Sequence, residues 1–556
     1  MITFDEDKQK LKLEEIKRKE ETDLAENLAG RLGVDFVDLN LTPVNTDALR
    51  LIAENDARVA KAATFNIIGK KLYVAVLSPE NPVSSKIIAD LSNKGYEIKI
   101  FIATDSGLEK AWKAYGSLSY EAESKIGALD IENEEIIKNL KEIKSLKDVT
   151  AKVNEILAGK KGYSTSKILE IIIAGAISIQ ASDIHLEPEE EYVRLRYRLD
   201  GVLSDILSFD KKIFALILSR IKLLSGLKLN IKNEAQDGRF SVKIGEDDIE
   251  IRTSILPGAY SESIVLRILD PKSIQVSIED LGINPILLKI LEREMSRPQG
   301  MILTTGPTGS GKTTALYAFL RKVHTPEVKI ITIEDPIEYH LPGIVQTQTN
   351  KEYTFSSGLR SALRQDPDII MVGEIRDEET AETALNSALT GHLVFSTLHT
   401  NNAAGTFPRL IDLKANPKTV TSAINLAMAQ RLVRKLCPFC KKEVSLEEKA
   451  KEIIEKIIKE MPGKEEVKNT GKIWTAVGCE KCNNTGYKGR IGVYEAILSD
   501  ENLEKAVLGN PSEREIKNAT REQGIPDMRE DGVMKVLSGI TSLDELQRVV
   551  DLEEDF

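Results

Sequence analysis

The sequence predicts a multidomain α/β protein organised around a phosphate-binding loop on a parallel sheet, and three observations carry that prediction. Gly306-Pro307-Thr308-Gly309-Ser310-Gly311-Lys312-Thr313 fits the pattern G-x-x-x-x-G-K-[ST] at every fixed position. The loop sits between Met301-Ile302-Leu303-Thr304-Thr305, a short apolar run of strand character, and Thr314-Ala315-Leu316-Tyr317-Ala318-Phe319-Leu320, which reads as a helix. Three further apolar strands downstream each end in polar, ionisable residues, and open parallel sheets bind ligands at that carboxyl edge.

Glycines let the loop wrap closely round a phosphate, so that amide N–H groups and the positive end of the helix dipole point at the anion. Lys312 is expected to reach the β- and γ-phosphates of a nucleotide, and the Thr313 hydroxyl to ligate Mg²⁺. A Gly-rich turn before a surface helix is the plain alternative, and the strand-loop-helix context argues against it.

At 556 residues the chain has room for three or four domains, each with its own core. With 41% hydrophobic and 29% charged residues it is of the soluble globular type. A net charge of −11 argues against a general polyanion binder, because proteins that track phosphate backbones carry a basic excess. The first 20 residues lack an apolar core, so no signal peptide is expected. The most apolar stretch, Ile168 to Ile179, contains Glu170 and is too short to span a bilayer. A cytoplasmic location is expected, with any membrane association arising through partners. All four cysteines fall in one late segment, which suits a reducing compartment and a dedicated site.

Along the chain, Lys8 to Asn27 reads as a charged helical lead-in, and a compact α/β pattern starts at Arg31-Leu32-Gly33-Val34-Asp35-Phe36. Strands are expected at Lys71 to Leu77 and Tyr96 to Ala103, with helices near Asp47–Glu54 and Val83–Asn93. Residues 1–118 hold no catalytic constellation and are read as a docking or regulatory domain. The stretch Ser117 to Gly162 is charged and poor in aromatics, so residues 119–162 are read as a helical linker.

A second domain, 163–278, opens with an apolar helix after Ser164. Its strand Tyr192 to Arg198 alternates apolar and basic side chains, so Arg194, Arg196 and Arg198 share one face, in the ordinary reading a solvated one. Arg252 and Arg267 are each set in an apolar strand, where a cation is costly unless something anionic meets it. A nucleotide phosphate and a structural carboxylate are both open as that partner.

The third domain spans 279–556. Lys329-Ile330-Ile331-Thr332-Ile333 delivers Glu334 and Asp335, Ile369-Ile370-Met371-Val372 delivers Gly373 and Glu374, and Leu393 to Leu398 delivers His399. Glu374 is expected to hold the Mg²⁺ shell and Glu334 to act as base or to position water. His399 either senses the γ-phosphate or is structural. Arg360 and Arg364 fall at i, i+4 spacing on a predicted helix, either as a salt-bridged surface pair or as arginine fingers, a role worth roughly 10³–10⁵ in rate. Cys437-Pro438-Phe439-Cys440 and Cys479-Glu480-Lys481-Cys482 are two C-x₂-C knuckles 38 residues apart. Four thiolates so arranged match a closed structural Zn²⁺ site, against redox pairs or free thiols, for which no thioredoxin-like context exists. A Lys- and Glu-rich helix, Ser445 to Glu460, fills the excursion, and a last helix starts near Thr541-Ser542-Leu543-Asp544-Glu545.

Gly306 to Thr314, Ile333-Glu334-Asp335-Pro336-Ile337-Glu338, Leu363-Arg364-Gln365-Asp366-Pro367-Asp368, Met371 to Asp377, Leu389-Thr390-Gly391-His392, Ser396 to Thr400 and Ala429 to Val433 follow in order. Together they resemble the secretion ATPases of type II secretion and type IV pilus systems, over roughly residues 160 to 556. The resemblance implies a RecA-like motor domain with ATP and Mg²⁺ at a Walker A loop, an Asp box at Glu334-Asp335, a Walker B glutamate at Glu374 and a His box at His399. It implies a preceding small α+β, PAS-like domain whose Arg252 and Arg267 close over nucleotide together with Arg360 and Arg364. An amino-terminal α/β docking domain and a tetracysteine zinc-binding insertion within 430–495 complete the organisation, and both are similar to the assembly and secretion branches, not the retraction motors.

Members are similar hexameric rings that turn an inner-membrane platform protein on its cytoplasmic face. Pilus assembly is the leading expectation and type II secretion the first alternative. A DNA-translocating ring is disfavoured by the acidic total and the lack of an aromatic–basic stacking surface, so nucleic acid is not an expected partner. A non-catalytic scaffold is disfavoured because every expected hydrolytic group is present. Two departures stand out: Ser261-Glu262-Ser263 replaces a common Gly-Glu-Lys, and Ile52-Ala53-Glu54 lacks a common proline. The Arg31-Leu32-Gly33 start is similar to cyclic di-GMP-binding relatives, and the rest of that pattern is poor.

Overall fold

The computed structural model describes residues 21–553 apart from 43, 50, 53, 69–70, 80, 94–95, 114, 116–127, 130–132, 159–164, 245–246, 271–275, 462–470 and 510. The lead-in expected at Lys8 to Asn27 lies outside the described residues as far as 20, and its remainder falls in helix α1 (21–32). The chain divides into two compact units at 123/124.

The first unit runs α1, β1 (Asp35–Phe36), α2 (Thr46–Leu49), α3 (Glu54–Val59), β2 (Ala62–Ile68), β3 (Lys71–Val76), α4 (Pro82–Asn93), β4 (Glu97–Ile102) and α5 (Asp105–Lys113), with sheet order β1-β4-β3-β2. Strand β2 is a departure from the expected pattern: Thr64 and Asn66 interrupt its apolar run. Thr64 is tolerated in the core because its hydroxyl donates to the Ala48 carbonyl at 2.6 Å. Trp112 and Tyr115 likewise bury their rings and spend their polar tips on carbonyls of Ala62, Leu49 and Ile52.

In the second unit, β5 (Ala128–Leu129), α6 (Asn133–Glu142), α7 (Leu146–Leu157), α8 (Thr165–Ser178), β6 (Asp183–Pro188), β7 (Val193–Leu199), β8 (Val202–Phe209), α9 (Lys211–Leu224), β9 (Gln236–Ile244), β10 (Asp247–Pro257) and β11 (Glu262–Leu269) come first. Their seven strands lie in the order β5-β9-β10-β11-β6-β7-β8. One face carries Ile184, Leu186, Leu195, Tyr197, Ile251 and Leu266 into a core shared with α8 and α9. The charged stretch expected as an exposed linker contributes to the same core, since Ile143, Val149 and Val153 are fully buried in it. Their periodicity puts the apolar residues inward and leaves pairs such as Glu142 and Lys152 outside.

The opposite face of that sheet is charged. Arg239, Arg252, Arg267, Asp183 and Arg198 stand side by side in register across β9, β10, β11, β6 and β7. Four arginines therefore share a single lateral row with one aspartate.

The rest of the unit comprises α10 (Pro285–Met295), β12 (Gly300–Thr305), α11 (Lys312–Val323), β13 (Ile330–Glu334), β14 (Val345–Gln348), α12 (Phe355–Ala362), β15 (Ile369–Val372), α13 (Glu378–Leu389), β16 (Leu393–Leu398), α14 (Thr406–Asp412), α15 (Pro417–Ala423), β17 (Ile424–Leu436), β18 (Lys442–Ser445), α16 (Glu448–Glu460), β19 (Lys472–Thr475), β20 (Tyr487–Leu498), α17 (Glu501–Leu508), α18 (Glu513–Thr520), α19 (Met528–Leu537) and α20 (Leu543–Gln547). Seven strands form one sheet in the order β14-β13-β15-β16-β12-β17-β20, parallel except for the last pair. Period-2 alternation divides each central strand between two cores. Met301 and Leu303 of β12 join one, Ile302 the other; Ile370 and Val372 of β15 join one, Ile369 and Met371 the other. Burial on both faces explains why these strands read as unbroken apolar runs.

The excursion between β17 and β20 pairs β18 with β19 and packs α16 through Ile454 and Ile457 into the sheet's core. Two hydrogen bonds join the two halves of the unit there: the Leu146 amide donates to Asn483 at 3.0 Å, and the Gly489 amide to Asp200 at 2.9 Å. The last helix begins where expected, with Ser542 as its cap. Within it Glu545 is fully buried and accepts from the Arg434 amide and guanidinium and from Arg548. Burial opposes its charge, yet the guanidinium hydrogen bonds win and hold the carboxyl below its ordinary range.

Glu545→Ala leaves Arg434 half-buried and uncompensated, so unfolding in denaturant is expected to reveal a loss of about 3–5 kcal/mol. Because the folded state lowers the Glu545 pKa, that contribution is present at neutral pH and fades in the parent protein as the pH falls below the carboxylate range.

Candidate active site

Strand β12 is gripped on both sides, by β16 and by β17, and its carboxyl end opens directly into the loop Gly306 to Lys312. Gly306, Gly309 and Gly311 take φ of 147°, 81° and 90°, conformations that other residues rarely adopt. A β-carbon on Gly306 would sit 2.6 Å from the Gln430 carbonyl, whereas one on Gly309 would meet nothing within 4 Å. The loop is thus packed hard against β17 on one side and open on the other. Gln430 braces it further, donating from its side-chain amide to the Ser310 carbonyl at 2.6 Å. The Ser310 hydroxyl is buried without a hydrogen-bond partner, and Thr313 is exposed at the start of α11, so the cradle retains free donors and acceptors for an anion and its cation.

Lys312 lies within the loop, its ammonium donating to the carbonyls of Gly306 at 2.7 Å and Pro307 at 3.2 Å. Burial lowers its pKa, the Glu374 carboxylate opposes the drop, and the Arg431 guanidinium adds to it. Pro307, Thr308 and Thr314 complete the loop and the first turn of α11.

The ends of β15 and β16 come together beside Lys312. Gly373 is tied by its amide to the Ile333 carbonyl at 2.8 Å and by its carbonyl to the Thr397 hydroxyl at 2.8 Å, which fixes the next residue, Glu374. The Glu374 carboxylate meets His399 Nε2 at 3.3 Å and pairs with Arg376, whose pKa it raises. Thr305 connects this group to the loop: its hydroxyl donates to the Leu398 carbonyl at 3.1 Å and accepts the Thr400 amide at 3.0 Å.

Glu334, at the end of β13, is placed differently. Its side chain is 3% exposed and accepts from Tyr317, Thr332 and Gln346, with the Gln346 contact at 3.0 Å. Those partners belong to α11, β13 and β14, not to the phosphate loop. The Tyr317 phenol, buried against this carboxylate, has its pKa pushed up.

The structure brings none of the four arginines onto the loop of its own chain. Arg252 crosses from β10 to the segment after Glu334, meeting Glu338 at 3.0 Å and the Ile337 carbonyl at 3.2 Å, and it also pairs with Glu250. Arg267 holds Asp183 at 3.1 Å with most of its side chain exposed. Arg194, Arg196 and Arg198 are partly buried and paired with Glu187, Glu189 and Asp183, a more engaged face than the solvated one expected. Arg360 pairs with Glu379 of α13. Arg364 departs from the expected helical spacing: α12 ends at Ala362, and Arg364 lies in a tighter turn before Asp366, whose φ is 52°.

The cysteines converge as the knuckle spacing required. Tetrahedral coordination at about 2.3 Å per Zn–S bond separates the sulfurs by about 3.8 Å, and the Sγ pairs Cys437–Cys479, Cys440–Cys482 and Cys479–Cys482 lie 3.9, 3.8 and 3.7 Å apart. Amides of Gly478, Cys479 and Gly486 aim at these sulfurs from 3.2 to 3.4 Å. Burial pushes the Cys482 thiol up, but the Cys479 and Gly486 amides outweigh it and bring its pKa down to about 7, toward the thiolate a metal needs. The donor set fits Zn²⁺ in a structural role, with all four positions filled by protein.

Sequence reading missed Gln430, Thr305 and Arg376. Gln430 carried a signal, being a polar residue at 1% exposure inside a long apolar strand. Thr305 carried none, because its partners Leu398 and Thr400 come from another strand end; Arg376 meets Glu374 two residues before it, and its charge beside an acidic strand end was the available signal.

Elemental analysis of freshly reduced protein is expected to find about one zinc per chain, and Cys482→Ser is expected to lose it and melt the knuckle locally, since binding and folding are coupled there. Lys312→Ala and Glu374→Ala are expected to leave the unfolding midpoint nearly unchanged, because both side chains face the loop and not a core.

Over residues 160–548 the sequence matches the family described as Type II/IV secretion system protein. It is 35% identical over 531 residues to the type IV pilus assembly ATPase PilB of Myxococcus xanthus, covering 95% of this chain and 91% of that one. It is 43% identical over 385 residues to the type II secretion system protein E of Aeromonas hydrophila, covering 69% and 75% respectively. The fold is similar to that of the Legionella pneumophila ATPase DotB, with a TM-score of 0.50 at 22% identity over 71% of this chain and 98% of the other. With the matched region taking in the phosphate loop, the Glu374–His399 contact and the cysteine knuckles, the chain belongs to the Type II/IV secretion system protein family.

Proposed function

We propose that the protein is a ring-forming mechanical ATPase that powers type IV pilus assembly. The observation that carries the hydrolytic reading is the convergence of Lys312, Glu374 and His399 from three adjacent strand ends on one phosphate loop. Bound Mg²⁺ and ATP would supply the scissile phosphoanhydride and part of the charge neutralisation. Thr313 and Glu374 are the residues that would hold the cation, Lys312, now on the Gly306 and Pro307 carbonyls, would serve the phosphates, and the glycine amides would cradle the anion. Glu334 positions the attacking water once it is released from Tyr317, Thr332 and Gln346. Phosphoryl transfer asks little covalent help of a protein, so this set suffices.

The arginine row supports a ring. Like charges directly opposite on neighbouring strands are destabilising, and here four arginines share Asp183, Glu250 and Glu338. A phosphate offered by an adjacent copy would relieve that row, placing Arg252 and Arg267, with Arg360 and Arg364, in trans. Head-to-tail contacts of this kind close into rings or run on as filaments, and a hexamer coupled to an inner-membrane platform protein is the closed form. Among the described residues no helix is long and apolar enough to cross a membrane, which suits a motor that reaches the membrane through that partner.

Pilus assembly is favoured over type II secretion by coverage. The pilus ATPase relative aligns with 95% of this chain, amino-terminal unit included, whereas the secretion relative aligns with 69%.

In the purified full-length protein, Lys312→Ala and Glu374→Ala are expected to cut phosphate release from Mg-ATP by at least about 100-fold. Glu334→Gln is expected to lose on the order of 10²–10⁴-fold if it positions water. Disrupting the gene is expected to remove surface pili and spare protein secretion. Wild-type turnover in Lys312→Ala would refute the hydrolytic reading, and lost secretion with intact pili would refute the choice of system.

A further inference from the structure

His399 and Thr400 lead into the segment Asn401 to Ala404, and that segment is held by side chains from β17, α18 and β20, namely Arg431, Glu513 and Glu495. Glu495 of β20 accepts the Ala403 amide at 2.7 Å with one carboxylate oxygen and the Met528 amide, at the start of α19, at 3.4 Å with the other. Arg431 of β17 donates to the Asn401 carbonyl at 2.7 Å. Glu513 of α18 accepts from the Asn402 side-chain amide at 2.7 Å. The same segment forms one wall of a cavity of about 460 Å³, which Arg431 and Glu495 also line. Ala403 and Ala404 pack into the core, and on the cavity side hydrogen bonds add to that hold on the backbone that carries His399.

We propose that Glu495 is a positioning residue for His399, setting through the Ala403 backbone where the imidazole meets Glu374, and tying that setting through Met528 to helix α19. Arg431 acts from the other end of the segment, through Asn401. The carboxylate suits the task because it offers an acceptor to each of two backbone donors on different elements. A carboxamide of the same size offers one oxygen, and its N–H₂ group faces the second donor. The C-terminal helices thereby gain a lever on the hydrolytic site: any movement of α19 relative to β20 is felt at Ala403, four residues from His399. This inference rests on the reading of His399 as part of that site.

The test uses the full-length protein and Mg-ATP. Misplacing a catalytic group by about 1 Å costs on the order of 100-fold, so Glu495→Gln is expected to lower kcat about tenfold or more while KM stays within about twofold. Hydrogen exchange is expected to accelerate at amides 400–405 and not in β12 or α11, a pattern that general destabilisation would not produce. Combining Glu495→Gln with His399→Ala is expected to cost no more than His399→Ala alone. Asn402→Ala, which drops that side chain's contacts with Glu513 and the Gly405 amide, loosens the same segment without touching Glu495 or Lys312, gives the same kinetic and exchange pattern, and decides the matter if Glu495→Gln does not fold. An impaired His399→Ala beside a Glu495→Gln of normal kcat, or losses that add in the double variant, overturns the inference alone. A His399→Ala of wild-type kcat overturns the reading of His399 and this inference with it.

Discussion

Strand β12 has parallel neighbours on both sides, and every other feature of the site is located by that pairing. Thr305 stands in register with Leu398 of β16 and Ala429 of β17, so the phosphate loop begins at a point where three strands have already been aligned. The Thr305 hydroxyl then ties the loop's base to the His399 turn, and Gln430 ties its crown to β17. A loop this rich in glycine would lose much backbone entropy on ordering; two flanking strands and two polar braces supply what its own sequence does not.

Charge is handled unequally in the two halves of the second unit. Around the loop each ionisable group has a partner of the opposite sign at hand: Lys312 near Glu374, Glu374 on His399 and Arg376. On the outer face of the second sheet, cations outnumber anions along one lateral row, and Arg252 already reaches across to Glu338. Each arginine of that row nevertheless has a carboxylate within 3.5 Å, Arg198 and Arg267 sharing Asp183 and Arg239 and Arg252 sharing Glu250.

The cysteine cluster holds the ends of β17 and β20 together after a long excursion, and the hydrogen bonds from Leu146 to Asn483 and from Gly489 to Asp200 lie on or beside the second knuckle. A structural metal would therefore stiffen two things at once: the outermost antiparallel pair of the phosphate-loop sheet and the seat on which the preceding sheet rests. The same pair, β17 and β20, carries Gln430, Arg431 and Glu495, so the knuckle, the loop brace and the His399 segment share one structural support.

Some of this protein was determined by its sequence alone. The loop motif, the apolar strands ending at Glu334, Glu374 and His399, each C-x₂-C pair and the cap at Ser542 follow from local chemistry, because a strand end, a tight turn and a two-cysteine knuckle each depend on residues close together in the chain. What the tertiary structure decided is which strand ends meet. It joined Glu374 to His399 but gave Glu334 to Tyr317 and Gln346, drew the charged stretch around Val149 into a core, and ended helix α12 before Arg364. Each of these outcomes turns on a partner far away in sequence, and neither hydrophobic periodicity nor motif spacing records the distance between residues on different strands.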